Sequence, residues 1–184
     1  MLIFTKMRNK IEETIQLGEN VSAEVLGSKV IINGPTGQVN KILFNPKIKI
    51  NVKDKNLVVS CDKASQYDLC KLNTFVAHLK NMIRGVVSGY EVDLKICSGH
   101  FPINVSVEAN KVIIKNFFGE KVIREADILN DVKVKVTGDI ISVTGHDIEK
   151  VGQTAANIEK ATYVTKKDRR VFMDGIFIVR KNKK

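Results

Sequence analysis

The chain of 184 residues has little of what several protein classes require. It contains no Trp, three Pro and three Cys, and aromatic residues make up only 6% of it. Three irregularly spaced Cys do not make a disulfide framework, which favours a reducing compartment. No stretch approaches the roughly 18 apolar residues of a membrane span, and Met1–Lys6 lacks the apolar core of a signal peptide. These absences predict a soluble, cytosolic protein without a membrane partner.

Motifs for catalysis and cofactor binding are also missing. The sequence has no P-loop, no G-x-G-x-x-G and no H-E-x-x-H. Cys97 and His100 have the spacing of a metal-ligand pair, but a zinc site needs about four ligands and no second spaced pair accompanies them. Cys97 as a nucleophile would need an activating His and an orienting group, and no residue is marked for either role. We therefore predict no enzyme, no catalytic or metal-ligating residue, no cofactor and no small-molecule substrate.

The most informative pattern that is present is an internal repeat at an offset of 82 residues. The matching segments are Lys29–Ile32 with Lys111–Ile114, Gly37 with Gly119, and Val58–Ser60 with Ile140–Ser142. Similarity at a fixed offset is the mark of duplicated structural units. Since there are only two copies, the repeat predicts a tandem pair of domains, residues 1–87 and residues 88–184.

Each copy contains short β-branched runs separated by Gly, Asn, Asp and Pro, which predicts strands. The predicted strands of the first copy are Val21–Leu26, Lys29–Asn33, Gln38–Phe44, Lys47–Val52 and Asn56–Ser60. Those of the second are Tyr90–Ile96, Asn104–Glu108, Lys111–Lys115, Glu120–Ile123, Val132–Val136, Ile140–Thr144 and Ile176–Val179. Gly34–Gly37 has the G-x-x-G form of a KH loop. Because that loop joins two helices and this one lies between two strands, we expect a turn.

One helix follows the strands in each copy. In the first copy, apolar residues recur at helical spacing: Leu69, Leu72, Val76, Leu79, Ile83 and Val86. Ser65 and Asp68 precede this stripe with the spacing of a capping box, with Asp in place of Glu. In the second copy the stripe is Ile148, Val151, Ala155, Ile158 and Ala161. The predicted fold class is α+β, with two tandem copies of one fold, each an antiparallel sheet with one helix packed on a face.

Positive charge is gathered at the end of the second copy. The segment Thr165–Lys184 has eight Lys and Arg against two Asp, and so supplies +6 of the net charge of +10. Its cations are Lys166, Lys167, Arg169, Arg170, Arg180, Lys181, Lys183 and Lys184. Gathered cations attract a polyanion and release its counterions. A basic tail that merely aids solubility is the alternative, and a membrane surface is less favoured because no amphipathic helix carries the charge.

Several segments, in order along nearly the whole chain, resemble the eukaryotic and archaeal branch of the large-subunit ribosomal protein six family. They are Gly34–Gly37, Asn81–Val86, His100–Asn104, Asn116–Lys121, Asp147–Glu149, Ala155–Ile158 and Lys167–Ile176. The resemblance implies two tandem α+β copies that bind large-subunit rRNA, mainly through the second. It implies a place near the sarcin–ricin loop and the stalk base of the cytosolic ribosome, beside neighbouring ribosomal proteins and docking translation factors.

The resemblance assigns RNA contact to the same segment that the charge pattern selects. The predicted rRNA-binding residues are Lys166, Lys167, Arg169, Arg170, Gly175, Lys181, Lys183 and Lys184. The cations would contact phosphates, and Gly175 would let the backbone approach the RNA closely. The first-copy turn has neutral Thr36, Gln38 and Asn40 where the family usually carries cations. A non-ribosomal RNA-binding or regulatory protein with the same fold remains the alternative function.

Overall fold

The computed structural model describes residues 10–181 apart from 19, 54, 63, 166 and 169, and only the backbone of Lys181. The chain divides into two compact units, Met1–Ser88 and Gly89–Lys184. Each unit has its own cluster of buried apolar side chains. Within the described residues no helix is both long and apolar enough to cross a membrane.

The first unit has six strands followed by one helix. They are β1 (Ile11–Gln16), β2 (Ser22–Leu26), β3 (Lys29–Gly34), β4 (Gly37–Ile42), β5 (Ile48–Lys53), β6 (Asn56–Cys61) and α1 (Gln66–Ser88). The second unit comprises β7 (Tyr90–Cys97), β8 (Asn104–Glu108), β9 (Lys111–Lys115), β10 (Arg124–Asp127), β11 (Val132–Thr137), β12 (Ile140–Gly145), α2 (Ile148–Ala161) and β13 (Gly175–Lys181). A short 3-10 turn, Phe117–Gly119, lies between β9 and β10.

The two units share one arrangement of antiparallel sheets. The first unit has the orders β1-β6-β5 and β2-β3-β4, and the second has β7-β12-β11 and β8-β9-β10 in the corresponding places. The second unit adds β13, which pairs with the outer edge of β7. In the described part of the first unit, no strand pairs with the corresponding edge of β1. The predicted α+β class with two tandem copies is confirmed, and the structure adds that each copy contains two sheets.

The sequence repeat is a repeat of core positions. Val30 and Ile32 in β3, and Val112 and Ile114 in β9, are completely buried at the repeat offset. Burial of one such side chain stabilises its unit by about 1.5–3 kcal/mol. The repeat is therefore retained where packing requires it, and the surfaces of the two units are free to differ.

The strand predicted at Glu120–Ile123 is wrong, because β10 begins only at Arg124. Val122 and Ile123 are apolar but exposed, at 73% and 49% of their full surface. The chain leaves β9 through a turn in left-handed conformations and regains an extended path four residues later than the apolar pattern indicated.

In α1 the apolar stripe also shifts, since Met82 is buried and Leu69 is 37% exposed.

The predicted capping box at the start of α1 is confirmed. The Ser65 backbone N–H donates to Asp68 Oδ2 at 3.1 Å, and the Asp68 N–H donates to Ser65 Oγ at 3.2 Å. Lys47 Nζ donates to the same carboxylate oxygen of Asp68 at 3.1 Å. The hydrogen bonds from the side chain and backbone of Ser65, and then that from Lys47, lower the pKa of Asp68 to about 2.

We expect Asp68→Asn to lower the urea midpoint of unfolding at pH 7 by weakening the start of α1. Because the folded-state pKa of Asp68 is below its ordinary value of 3.8, its stabilisation is present above pH 3.8 and is lost as the pH falls towards 2. The difference in urea midpoint between the unaltered chain and Asp68→Asn should therefore shrink as the pH falls over that range. Asp62→Asn, at a carboxylate that is 63% exposed, is the matched control and should change little. A deficit of Asp68→Asn that is independent of pH would contradict this role.

The G-x-x-G segment forms the expected turn between β3 and β4, and not a loop between helices. Thr36 Oγ1 donates to the carbonyl oxygen of Val86 at 2.7 Å, and the Thr36 N–H donates to the same oxygen at 3.1 Å. These bonds satisfy a carbonyl at the end of α1 that has no partner within the helix. A Cβ on Gly34 would lie 2.7 Å from a methyl carbon of Val86, so the close contact requires Gly.

Candidate nucleic-acid interface

The candidate interface lies in the segment that connects α2 to β13. Lys167 and Arg170 are exposed within it, and Lys181 ends β13. Gly175 opens β13 and is buried. The remaining predicted site residues lie outside the described part of the chain: Lys166, Arg169, Lys183 and Lys184. Of the residues it describes, the structure thus brings Lys167 and Arg170 together on one exposed connection.

Asp168 shapes the middle of this connection. Its carbonyl oxygen accepts from the N–H of Val171 at 3.2 Å and of Phe172 at 2.9 Å. Its side chain accepts from the Arg170 N–H at 2.9 Å. A side chain that bonds the backbone two residues onward is a typical device for stabilising a turn. The turn directs Phe172 back towards the unit and leaves Arg170 in solvent.

Three rings, those of His100, Phe118 and Phe172, form what we call the aromatic cluster. Phe118 and Phe172 contact the Lys167 side chain, and His100 supports Phe172. Lys167 Nζ lies 4.4 Å from the ring centroid of Phe118 and 4.8 Å from that of Phe172. The His100 ring stacks on Phe172 with centroids 5.3 Å apart and planes inclined by 26°. Phe118 and Phe172 meet edge to face at 5.8 Å. A cation within about 6 Å of a ring centroid is attracted by the negative face of the ring.

The register of two strands brings the parts of this cluster together. β7 and β13 are antiparallel, with Cys97 opposite Gly175. The residues just after Cys97 and those just before Gly175 must therefore lie side by side. This pairing places His100 next to Phe172 although the two are far apart in the sequence.

Phe118 reaches the cluster through an unusual turn. Asn116, Phe118 and Gly119 all have left-handed backbone conformations, with φ of 62°, 53° and 72°. For a bulky residue such as Phe this conformation is uncommon, and it costs about 1–2 kcal/mol. The Asn116 side chain donates to the carbonyl oxygen of Pro102 at 2.9 Å and fixes the turn. As a result Phe117 is buried in the unit, while Phe118 points to the surface cluster.

Asp174 joins the loop after β7 to the start of β13. Its Oδ1 accepts from the N–H of Gly99 at 2.5 Å and of His100 at 2.9 Å, and its Oδ2 lies 2.5 Å from His100 Nδ1. The carboxylate is only 4% exposed. Burial by itself raises the pKa of Asp174, but the hydrogen bonds from His100 and Gly99 outweigh it and hold the pKa below its ordinary value.

The same bonds explain the spacing of Cys97 and His100. The ring of His100 is paired with the Asp174 carboxylate instead of sharing a metal with the thiol. In the chain as described, no three His, Cys, Asp or Glu residues are placed to hold a metal ion. The short segment from Cys97 to His100 therefore has a structural explanation, as an anchor for β13.

Gly175 also has an explanation within the protein. A Cβ at this position would lie 3.0 Å from a ring carbon of Phe177 and 3.6 Å from Thr162 Oγ1. Thr162 Oγ1 accepts from the N–H of Ile176 at 2.9 Å, which fixes the first residues of β13. A side chain at this position would therefore press against the Phe177 ring. The idea that RNA backbone approaches Gly175 stays a prediction.

Sequence reasoning missed the aromatic cluster and Asp174 as parts of this site. Their side chains lie in segments that the family resemblance had already marked, namely His100–Asn104, Asn116–Lys121 and Lys167–Ile176. The segments were recognised one by one, and nothing in their local patterns showed that they meet. The common signal was that each carries an aromatic residue in a chain with few aromatics.

Comparisons with known proteins agree with the resemblance. A family model described as "Ribosomal protein L6" matches residues 101–175. "Large ribosomal subunit protein uL6" of Desulfurococcus amylolyticus is 47% identical over 93% of this chain and 95% of that protein. The proteins of the same name from Haloquadratum walsbyi and Methanosarcina mazei are 40% and 42% identical, over 91% and 95% of this chain and 94% and 99% of their own length. A ribosomal protein family is structural, so the prediction that the chain is not an enzyme is confirmed. The chain belongs to the ribosomal protein L6 family, in its archaeal and eukaryotic branch.

Proposed function

We propose that the chain is a structural constituent of the large ribosomal subunit that binds large-subunit rRNA through its second unit. The contact is made by the connection between α2 and β13 and by the cations that follow it. The observation that carries this proposal is the display of Arg170 on an exposed, internally bonded turn, within a segment that supplies +6 of the net charge of +10.

The chemistry of this surface suits an RNA backbone. Lys and Arg side chains contact phosphates and fix the register of the protein on the nucleic acid. Helical RNA is recognised mainly through its shape, phosphates and 2′-hydroxyls, so a surface without base-reading side chains is sufficient. Binding of this kind is driven by the release of counterions, which makes it strongly dependent on salt.

The proposed place of the protein is near the sarcin–ricin loop and the base of the stalk in cytosolic ribosomes. This location is supported by family membership, which also makes neighbouring ribosomal proteins and docking translation factors its expected partners. The division of labour follows from the charge distribution. The unit Gly89–Lys184 would bind the RNA, and the unit Met1–Ser88 would mainly support neighbouring protein or RNA.

We expect binding to an rRNA fragment with the sarcin–ricin loop to weaken steeply as salt rises. If about five phosphates are neutralised, the slope of log K against log salt should be roughly −3.5 to −4.5. Changing Lys166, Arg169 and Arg170 to Gln together should make this slope shallower by about 2–3. The control changes three exposed strand lysines, Lys29, Lys133 and Lys135, to Gln. Equal slopes for the two triple variants would show that the connection is not the RNA-binding surface.

Sedimentation separates the proposed function from a free RNA-binding role. Tagged protein expressed in cells should migrate with large subunits on a sucrose gradient and remain there after a salt wash. The triple variant at Lys166, Arg169 and Arg170 should move towards the top of the gradient, whereas the control triple should not. Recovery of the unaltered protein only in ribosome-free fractions would instead favour the non-ribosomal alternative.

A further inference from the structure

We propose that Lys167 is a positioning residue and not a phosphate contact. Its ammonium group is held by the aromatic cluster and fixes the connection between α2 and β13, so that Arg170 meets the RNA in a preset arrangement. This inference rests on the proposed RNA-binding function. It divides cations that the sequence alone treats as equivalent into one that builds the site and others that contact the ligand.

The position of the Lys167 ammonium group supports its assignment as a positioning residue. It lies over the faces of Phe118 and Phe172 at once, at 4.4 Å and 4.8 Å from their centroids. A Lys that serves a phosphate acts as a hydrated, mobile point charge. An ammonium group that faces two rings has exchanged part of this hydration for two cation–π contacts. Its charge is thus already engaged before any ligand arrives.

The contacts of Lys167 also cross-link separate parts of the unit. Phe172 belongs to the connection itself, but Phe118 is presented by the left-handed turn after β9. Holding an ammonium group between the two rings therefore ties the connection to that turn. At its other end the connection is tied through Asp174 to the backbone of Gly99 and His100.

Arg170 lies between these two attachments. Lys167 and Arg170 are both exposed, but the ammonium group of Lys167 contacts two rings. The backbone of Arg170 is bonded to Asp168, and its side chain is exposed. A connection held at both ends loses less conformational freedom when it binds, because fewer of its residues remain to be ordered. The aromatic cluster would thereby raise the affinity for RNA without touching it.

Two variants of equal charge change test this division in the full-length chain. Arg170→Gln should make the salt slope for the rRNA fragment shallower by about 0.7–0.9, as expected for the loss of one phosphate contact. Lys167→Gln should weaken binding about tenfold at every salt concentration, through loss of the two cation–π contacts, and should leave the slope unchanged. Lys167→Arg should restore binding, since a guanidinium group also stacks on aromatic faces. Lys135→Gln, three strands away from β13, is the control for the loss of one charge.

A comparison of the two single variants with the double variant distinguishes a specific contact between Lys167 and Phe172 from a general loss of stability. Phe172→Leu should weaken binding about as much as Lys167→Gln, and the double variant should show little further loss, because the two side chains act as one contact. Fully additive losses would overturn the proposal. So would a salt slope for Lys167→Gln that falls as much as that of Arg170→Gln, in which case Lys167 is a phosphate contact and the proposed function stands.

The free protein offers a test that does not depend on RNA. In its NMR spectrum, the ε-methylene protons of Lys167 should be shifted upfield by the two rings, and Phe118→Leu should reduce that shift. Lys167→Gln should raise the backbone mobility of the connection while the thermal unfolding temperature changes little. Random-coil shifts for these protons would overturn the proposal even if RNA binding is normal. Loss of RNA binding by the unaltered protein, with the shifts present, would instead contradict only the proposed function.

Discussion

A fragment of residues 89–184 is expected to bind the rRNA fragment within about threefold of the full chain, and a fragment of residues 1–88 at least roughly a hundredfold more weakly. The reason is the distribution of charge and not its sum. In the second unit, eight of the cations lie between residues 165 and 184. In the first unit, thirteen cations and seven carboxylates are spread along many elements. Gathered charge makes a site, whereas spread charge gives weak and unspecific attraction.

The comparison is feasible because each unit has its own buried core. Circular dichroism and cooperative urea unfolding of both fragments are the control that each is folded. Both affinities must be measured at one salt concentration, since the difference between them depends on it. Equal affinities would show that the first unit contributes to RNA binding as much as the second. The turn with Thr36 would then be the first place to examine, although its hydroxyl is bonded to the end of α1.

The features that sequence reasoning predicted correctly are local or repeated. The capping box needs only Ser65 and Asp68, three residues apart, and their mutual bonds follow from that spacing. The repeat marked Val30 and Val112 as equivalent, and both are completely buried. Strand alternation and helical stripes are properties of adjacent residues, so they could be recognised without knowledge of the tertiary structure.

The features that sequence reasoning missed depend on contacts between distant segments or on backbone conformation. The strand expected at Glu120–Ile123 was displaced by left-handed residues at Asn116 and Phe118, which no apolar pattern reveals. The assembly of the aromatic cluster depends on the pairing of β7 with β13, and alternation within a strand does not specify its partner. The pairing of His100 with Asp174 could not be recognised either, because the two residues lie 74 positions apart in the sequence.

Removal of the Asp174 carboxylate should have the largest effect of any single change near the interface. Asp174→Ala leaves the backbone N–H groups of Gly99 and His100, and the ring of His100, without their acceptor. Unsatisfied buried donors cost about 1–3 kcal/mol each, and the ring can turn to water, so we expect a loss of about 3 kcal/mol in the unfolding free energy of the second unit. Asp174→Asn keeps an acceptor for the backbone groups and should lose less. Urea unfolding of the fragment 89–184 measures both.

The pH dependence of this loss identifies its cause. Since the pKa of Asp174 in the folded unit lies below the ordinary value of 3.8, the carboxylate stabilises the fold fully above that pH, and this contribution disappears as the pH falls below the folded pKa. The difference between the unaltered fragment and Asp174→Ala should therefore be large at pH 7 and should narrow at the acidic end. Asp139→Asn, at an exposed turn of the same unit, is the control. Its unfolding free energy should stay close to that of the unaltered fragment at both pH values. A deficit of equal size at both pH values would mean that Asp174 acts through packing, and that the loop after β7 is held to β13 by other contacts.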